Sequence, residues 1–170
     1  MVVLGIDPGY AIVGYGCISF FRNRYNTIDY GAITTAADVP FNRRLEIIFR
    51  DMNEIIDVCK PDFMAIEKLY FNSNQKTAIY VAEARGVILL SAQINGIEVY
   101  EYTPLQVKNA VTGYGRAPKQ QVMKMTQRLL HLDEIPKPDD TADALALAIC
   151  HTQAYCPQLS KLMMKRGYSK

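Results

Sequence analysis

The chain has 170 residues, 49% of them apolar and 21% charged. That is the size and composition of one domain with its own core, and it excludes disordered and fibrous classes. The formal charge of +2 is too small to announce a polyanion partner. The excess belongs to the last ten residues, where Lys161, Lys165, Arg166 and Lys170 stand without an acid. No uncharged apolar run reaches the roughly 20 residues that cross a bilayer, and no basic stretch precedes an apolar one at the amino terminus, so a soluble, unexported protein with no membrane partner is expected. Cys17, Cys59, Cys150 and Cys156 form no C-x-x-C pair and read as reduced thiols of a cytoplasmic protein.

Val2 to Ile6 is a short β-rich run stopped by Asp7-Pro8-Gly9, a buried strand ending in a turn. Ile12 to Phe20 and Tyr25 to Ile33 are two further strands, joined through the polar Arg22-Asn23-Arg24 as a hairpin, so the first three strands predict a meander. Leu45, Ile48, Phe49, Met52, Ile55 and Ile56 recur at steps of three and four and predict a helix over about 41–59, ended by Lys60-Pro61. Asp62 to Leu69 returns to strand composition, a helix follows over about 77–94, and Ile97 to Tyr102 is a fifth strand. Thr103-Pro104 opens a helix that Gly113-Tyr114-Gly115 breaks. Pro118 opens another through about His131, and Asp139 or Asp140 opens the last, with an apolar side of Ala142, Leu145, Ala146 and Ile149. A meander followed by β-α-β units is an α/β fold, a five-stranded mixed sheet with helices on both faces. The expected domain is 1–155, with 156–170 a basic tail.

Three segments place acids where packing alone would not. Asp7 ends an apolar strand, Glu67 follows Phe63-Met64-Ala65-Ile66, and Asp140 and Asp143 lie three apart at the start of an apolar helix, on one face. Taken singly, Asp7 could serve a turn, Glu67 the solvent side of an edge strand, and the Asp140–Asp143 pair a helix cap. If the ends of the first and fourth strands meet beside the start of the last helix, the four carboxylates converge and require cations. Oxygen-only ligands select Mg²⁺, with Mn²⁺ as a substitute, and two such ions serve in-line displacement at a phosphodiester. A zinc site is not supported: His131 and His151 are the only histidines and lack paired spacing with Cys150 and Cys156, so core thiols and surface imidazoles are expected. Gly14 and Gly16 inside the second strand point to a bend or a close backbone approach.

Tyr70 and Phe71 stand side by side in a polar loop between Lys68 and Lys76, where a ring can stack on an unpaired base or simply anchor the loop. From Thr103 to Arg128 the chain carries Lys108, Arg116, Lys119, Lys124 and Arg128 without an acid, a possible phosphate track or a solvated face.

Gly5-Ile6-Asp7-Pro8-Gly9 with Gly14-Tyr15-Gly16, then Ala65-Ile66-Glu67, Ala84-Arg85-Gly86, Gln106-Val107-Lys108 and Asp140-Thr141-Ala142-Asp143-Ala144-Leu145-Ala146, resemble in order and over nearly the whole chain the RuvC-type crossover junction endodeoxyribonucleases, the Holliday-junction resolvases. The resemblance implies a ribonuclease H-like fold and a catalytic tetrad of Asp7, Glu67, Asp140 and Asp143 on Mg²⁺ or Mn²⁺. It implies that Lys108 and Lys119 approach DNA near the scissile phosphate, and that an aromatic three residues past Glu67 enters the junction centre. That position is usually phenylalanine and here is Tyr70, followed by Phe71. It also implies a homodimer that nicks a four-way DNA junction symmetrically, working with the RuvA and RuvB branch-migration proteins. Three other readings stand beside it. An actin-like phosphotransferase needs a second domain to close over its nucleotide, a non-catalytic nucleic-acid module would not require all four acids, and a ribonuclease H-like enzyme would act on RNA or hybrid.

Overall fold

The computed structural model describes residues 1–69 and 75–165, with backbone alone for 75, 76 and 156–165. Strands β1 (Val2–Asp7), β2 (Ile12–Phe21) and β3 (Arg24–Thr34) form the expected antiparallel meander, and β4 (Phe63–Glu67) and β5 (Glu98–Tyr102) add on the far side of β1, both parallel to it. The order is β3-β2-β1-β4-β5. β1 is central and covered on both faces, which is why it is apolar at almost every position rather than alternating.

Side-chain alternation along β1 and its neighbours assigns the two faces. Leu4, Ile6, Met64 and Ile66 are fully buried with Ile48, Met52, Ala84 and Ile88, under α1 (Phe41–Cys59) and α2 (Gln75–Ile94). Val3, Ile18, Ala65 and Tyr102 point the other way, under α3 (Pro104–Thr112), α4 (Lys119–Leu129) and α5 (Asp139–Lys165). The turn chemistry at α3 is as the sequence predicts. Thr103 accepts from the Gln106 amide at 3.2 Å, Gln106 Oε1 accepts from the Thr103 amide at 2.8 Å, and Pro104 opens the helix. Helical backbone in α5 continues to Lys165, past residue 155.

The window Thr77–Ile94 of α2 is long and apolar enough by composition to cross a membrane. It nevertheless carries Glu83 and Arg85, and its Ala84, Ile88, Ser91 and Ala92 are buried against the rest of the chain.

α5 lies closer to the sheet than side chains normally allow. A Cβ on Gly5 would stand 1.9 Å from the Ala144 carbonyl, and one on Gly14 would stand 2.1 Å from the Asp140 carbonyl. Glycine at these two positions lets the helix backbone rest on β1 and β2, the close approach expected at Gly14.

His151 corrects the expectation of surface imidazoles. His131 is exposed, but His151 is fully buried, its Nδ1 2.8 Å from the Tyr102 hydroxyl and its ring packed among Phe63, Tyr100 and Tyr155. The reason is its place on α5 two positions past Ile149, on the flank turned to β4 and β5. Cys17, Cys59 and Cys150 are buried free thiols, as expected.

Candidate functional site

Asp7 and Glu67 occupy the carboxyl ends of neighbouring parallel strands. Gly5 pairs with Ala65 and Ile6 with Ile66, so the next step along brings Asp7 beside Glu67, both on the α5 face of the sheet. β4 lies inside the sheet between β1 and β5, so Glu67 is not an edge-strand residue. Asp7 is also paired with Gly14, the residue on which the Asp140 backbone rests. One helical turn on from Asp140, Asp143 turns into the same space.

These elements enclose a cleft of about 210 Å³, lined by Asp7, Glu67, Lys108, Lys119 and Asp143 over apolar walls from Pro104, Val107, Val122 and Leu147. Asp140 is not among the lining residues, but its charge reaches into the cluster. Burial, then repulsion from Glu67, Asp143 and Asp140, pushes the Asp7 carboxyl up to about 7, with Lys119 pulling against them. Glu67 is raised by burial and by Asp143. Asp143 is raised by burial too, against the opposing hydrogen bond and charge of Lys119. Lys119 Nζ stands 3.0 Å from Asp143 and 3.3 Å from Asp139. Burial pulls its ammonium down, but the hydrogen bonds and charges of those two acids outweigh it and leave Lys119 raised.

The carboxylates supply the hard oxygen donors that Mg²⁺ takes, and their mutual repulsion is relieved by positive charge. Among the described residues, no group of three or more His, Cys, Asp or Glu side chains is gathered at metal-site spacing. Part of the cluster's charge is met by the ammonium of Lys119, whose side chain is half exposed. The donor chemistry thus fits a divalent cation, with Lys119 as the charge it would share the cleft with.

Of the predicted DNA-contacting residues, the structure brings Lys108 and Lys119 to the acids. Arg116 is exposed in the loop between α3 and α4, and Lys124 is exposed further along α4, neither of them in the cleft. Tyr70 and Phe71 lie outside the described residues, as does the side chain of Lys76. The sequence reading missed Asp139 as a partner of Lys119, and it missed Val107, Val122 and Leu147 as cleft walls. Asp139 carried a usable signal, being one residue ahead of Asp140, whereas the walls depend on how α3, α4 and α5 meet.

A five-stranded mixed sheet with acids at the ends of two adjacent parallel strands, under a helix that adds two more, is a ribonuclease H-like domain. The sequence model described as "Crossover junction endodeoxyribonuclease RuvC" matches residues 3–151. A relative of that name from Halothermothrix orenii is 58% identical over 155 residues, 91% of this chain and 94% of its own. Another, from Caldanaerobacter subterraneus subsp. tengcongensis, is 51% identical over 170 residues, the whole of both chains. Thermus thermophilus RuvC, solved in complex with a Holliday junction substrate, superposes with a TM-score of 0.87 at 33% identity, covering 91% of this chain and 94% of that one. The chain belongs to the RuvC family of crossover junction endodeoxyribonucleases.

Proposed function

We infer that this chain is a metal-dependent endodeoxyribonuclease that resolves four-way DNA junctions by paired symmetric nicks in homologous recombination and repair. The observation that carries the reading is the cleft itself: Asp7, Glu67 and Asp143 face one space together with Lys108 and Lys119, in a chain of this family. Asp7, Glu67, Asp140 and Asp143 would hold Mg²⁺ or Mn²⁺. Bound there, divalent ions supply Lewis-acid stabilisation of the phosphoryl charge and a more acidic water.

The remaining work falls to the chain's own side chains. Lys108 and Lys119 present two ammonium groups to a phosphate that enters between α3 and α4, and Lys119 must exchange Asp143 for that phosphate as DNA arrives. Val107, Val122 and Leu147 keep one wall dry, which strengthens every charge interaction inside the cleft. Glycine at 5 and 14 fixes the height of α5, and so sets the positions of Asp140 and Asp143.

Paired nicks require two such clefts related by a twofold axis, and so a homodimer. α2 supports one: Ile79, Leu90 and Ile94 are exposed along it, with Leu90 and Ile94 at 52% and 62%. Gly86 lies between Ile79 and Leu90 with open space over its missing Cβ, although nothing among the described residues asks for glycine in mid-helix. Cooperation with RuvA and RuvB and a cytoplasmic setting belong to the same reading, the latter supported by the buried free thiols.

The test is cleavage of a synthetic four-way junction with Mg²⁺ or Mn²⁺, beside linear duplex and RNA–DNA hybrid. Paired nicks at symmetric positions are expected on the junction alone. Asp7→Asn is expected to abolish cutting while junction affinity persists. Preferential cutting of the hybrid would overturn the reading, and loss of affinity together with activity would make Asp7 a structural acid.

A further inference from the structure

α4 begins in the cleft at Lys119 and runs away from it, and its exposed side continues the positive charge. Gln120, Gln121, Lys124 and Arg128 line one groove with Pro118 and Met125, of about 400 Å³. Arg128 is shared with a second groove of about 510 Å³, whose other walls are Asn23, Arg24, Tyr25, Leu129 and His131. Their residues thus run from Pro118, next to Lys119 of the cleft, along the outer side of α4 to the β2–β3 hairpin.

Arg24, Lys124, Arg128 and His131 are all exposed, and among the described residues none of them makes an ion pair. No acid occurs between Asp7 and Asp29 or between Thr103 and Leu132, so both segments that build this face are free of carboxylates. The hairpin turns through Arg22 and Asn23, both at positive φ, 49° and 59°, and the residue that follows, Arg24, lines the groove. Unneutralised guanidinium groups beside polar amides along a groove are the chemistry that meets a nucleic-acid backbone.

We propose that this α4–hairpin face is a second phosphate-binding surface that grips duplex DNA beyond the cut, with Arg128 and Arg24 as its principal contacts. At 1.5 Å and about 100° per residue, Arg128 lies about 14 Å along α4 from Lys119 and about half a turn around it. At 3.4 Å per phosphate on one strand, that axial step alone is about four nucleotides, so the contact falls about four or more nucleotides from the phosphate held in the cleft. Identifying the duplex as an arm of the junction rests on the function proposed above, whereas contact with duplex phosphates does not.

The test is the salt dependence of binding for the full chain and its Arg24→Ala/Arg128→Ala variant. It uses a four-way junction and, separately, a plain 20-base-pair duplex, both without divalent ions. Each phosphate contact contributes about 0.9 to the slope of log affinity against log salt, so the variant's slope is expected to be shallower by about 1.8 on both probes. Affinity at low salt should fall about tenfold, with Arg24→Lys/Arg128→Lys restoring most of it. Uncharged methylphosphonates placed about four or more nucleotides from the cut should weaken binding of the parent chain and leave that of the alanine variant unchanged. Equal slopes for parent and variant overturn the proposal, and they are also the result expected if the face serves an acidic protein partner. Should the parent chain fail to cut junctions while the duplex slopes still differ, the junction reading falls and the phosphate surface stands.

Discussion

Replacing Asp7 by asparagine should make the metal-free protein more stable at neutral pH while destroying its activity. The Asp7 carboxyl is pushed from the ordinary 3.8 to about 7 by burial and by Glu67, Asp143 and Asp140. That interval corresponds to ~4 kcal/mol at about 1.4 kcal/mol per pH unit, a ceiling that solvent and salt at a partly open cleft reduce to about 2 kcal/mol. Well below pH 3.8 the group is neutral in the folded and unfolded chain alike, so it costs nothing. Between pH 4 and 7 the unfolded chain releases the proton that the folded chain keeps, and folded stability falls as pH rises. Above pH 7 the full cost is present. Asparagine avoids it, so the advantage of Asp7→Asn should be small near pH 4 and reach about 2 kcal/mol at pH 8, a rise of about 4–8 °C in Tm. Thermal melts in EDTA at pH 4.5, 6, 7 and 8 read this directly. Adding millimolar Mg²⁺ at pH 8 should raise the Tm of the parent chain and leave the variant nearly unmoved. An Asp7→Asn protein that is less stable at pH 8, or whose advantage is the same at pH 4.5 and pH 8, would refute the account of a mutually repelling cluster.

Gly14→Ala places a methyl 2.1 Å from the Asp140 carbonyl, so the start of α5 must lift off β2. A loss of about 2–3 kcal/mol and at least a tenfold drop in cleavage are expected, read by urea melts and single-turnover rates, and an unchanged rate would free Asp140 from any dependence on that contact. His151 titrates the opposite way from Asp7. Burial lowers it to about 4, so between pH 6.5 and 4 the unfolded chain takes up a proton that the folded chain refuses, and stability is lost as pH falls, by up to about 3 kcal/mol. His151→Phe should flatten that acid limb at about 1 kcal/mol cost for the unpaired Tyr102 hydroxyl, and parallel Tm-against-pH curves for the two proteins would count against it.

Both the polar punctuation and the apolar periods were readable along the chain. Asp7-Pro8-Gly9 ends β1, Thr103-Pro104 with Gln106 opens α3, Gly113 closes it in the left-handed region, and the three- and four-residue steps of α1 mark the face it buries. Each depends on a residue and its near neighbours, so local chemistry suffices. The four acids stood out for a related reason, since charge at the end of an apolar strand or helix face is visible without knowing what lies opposite. His151 was misread because its neighbours in sequence say nothing of the Tyr102 hydroxyl or the Phe63 and Tyr100 rings, which arrive from two strands. Arg24 passed unnoticed because its importance comes from Arg128, more than a hundred positions away.

The sequence by itself thus determined the elements, their order and the residues able to carry metal chemistry, because those follow from periodicity, turn residues and the cost of burying charge. Tertiary structure alone decided that Asp7 and Glu67 lie side by side, that Asp143 meets Lys119 while Lys124 points elsewhere, and that α5 rests directly on Gly5 and Gly14. The physical reason is that convergence is a property of strand register and helix height. Both are set by packing between segments far apart in the chain; a glycine such as Gly14 marks that something comes close, but not which segment does.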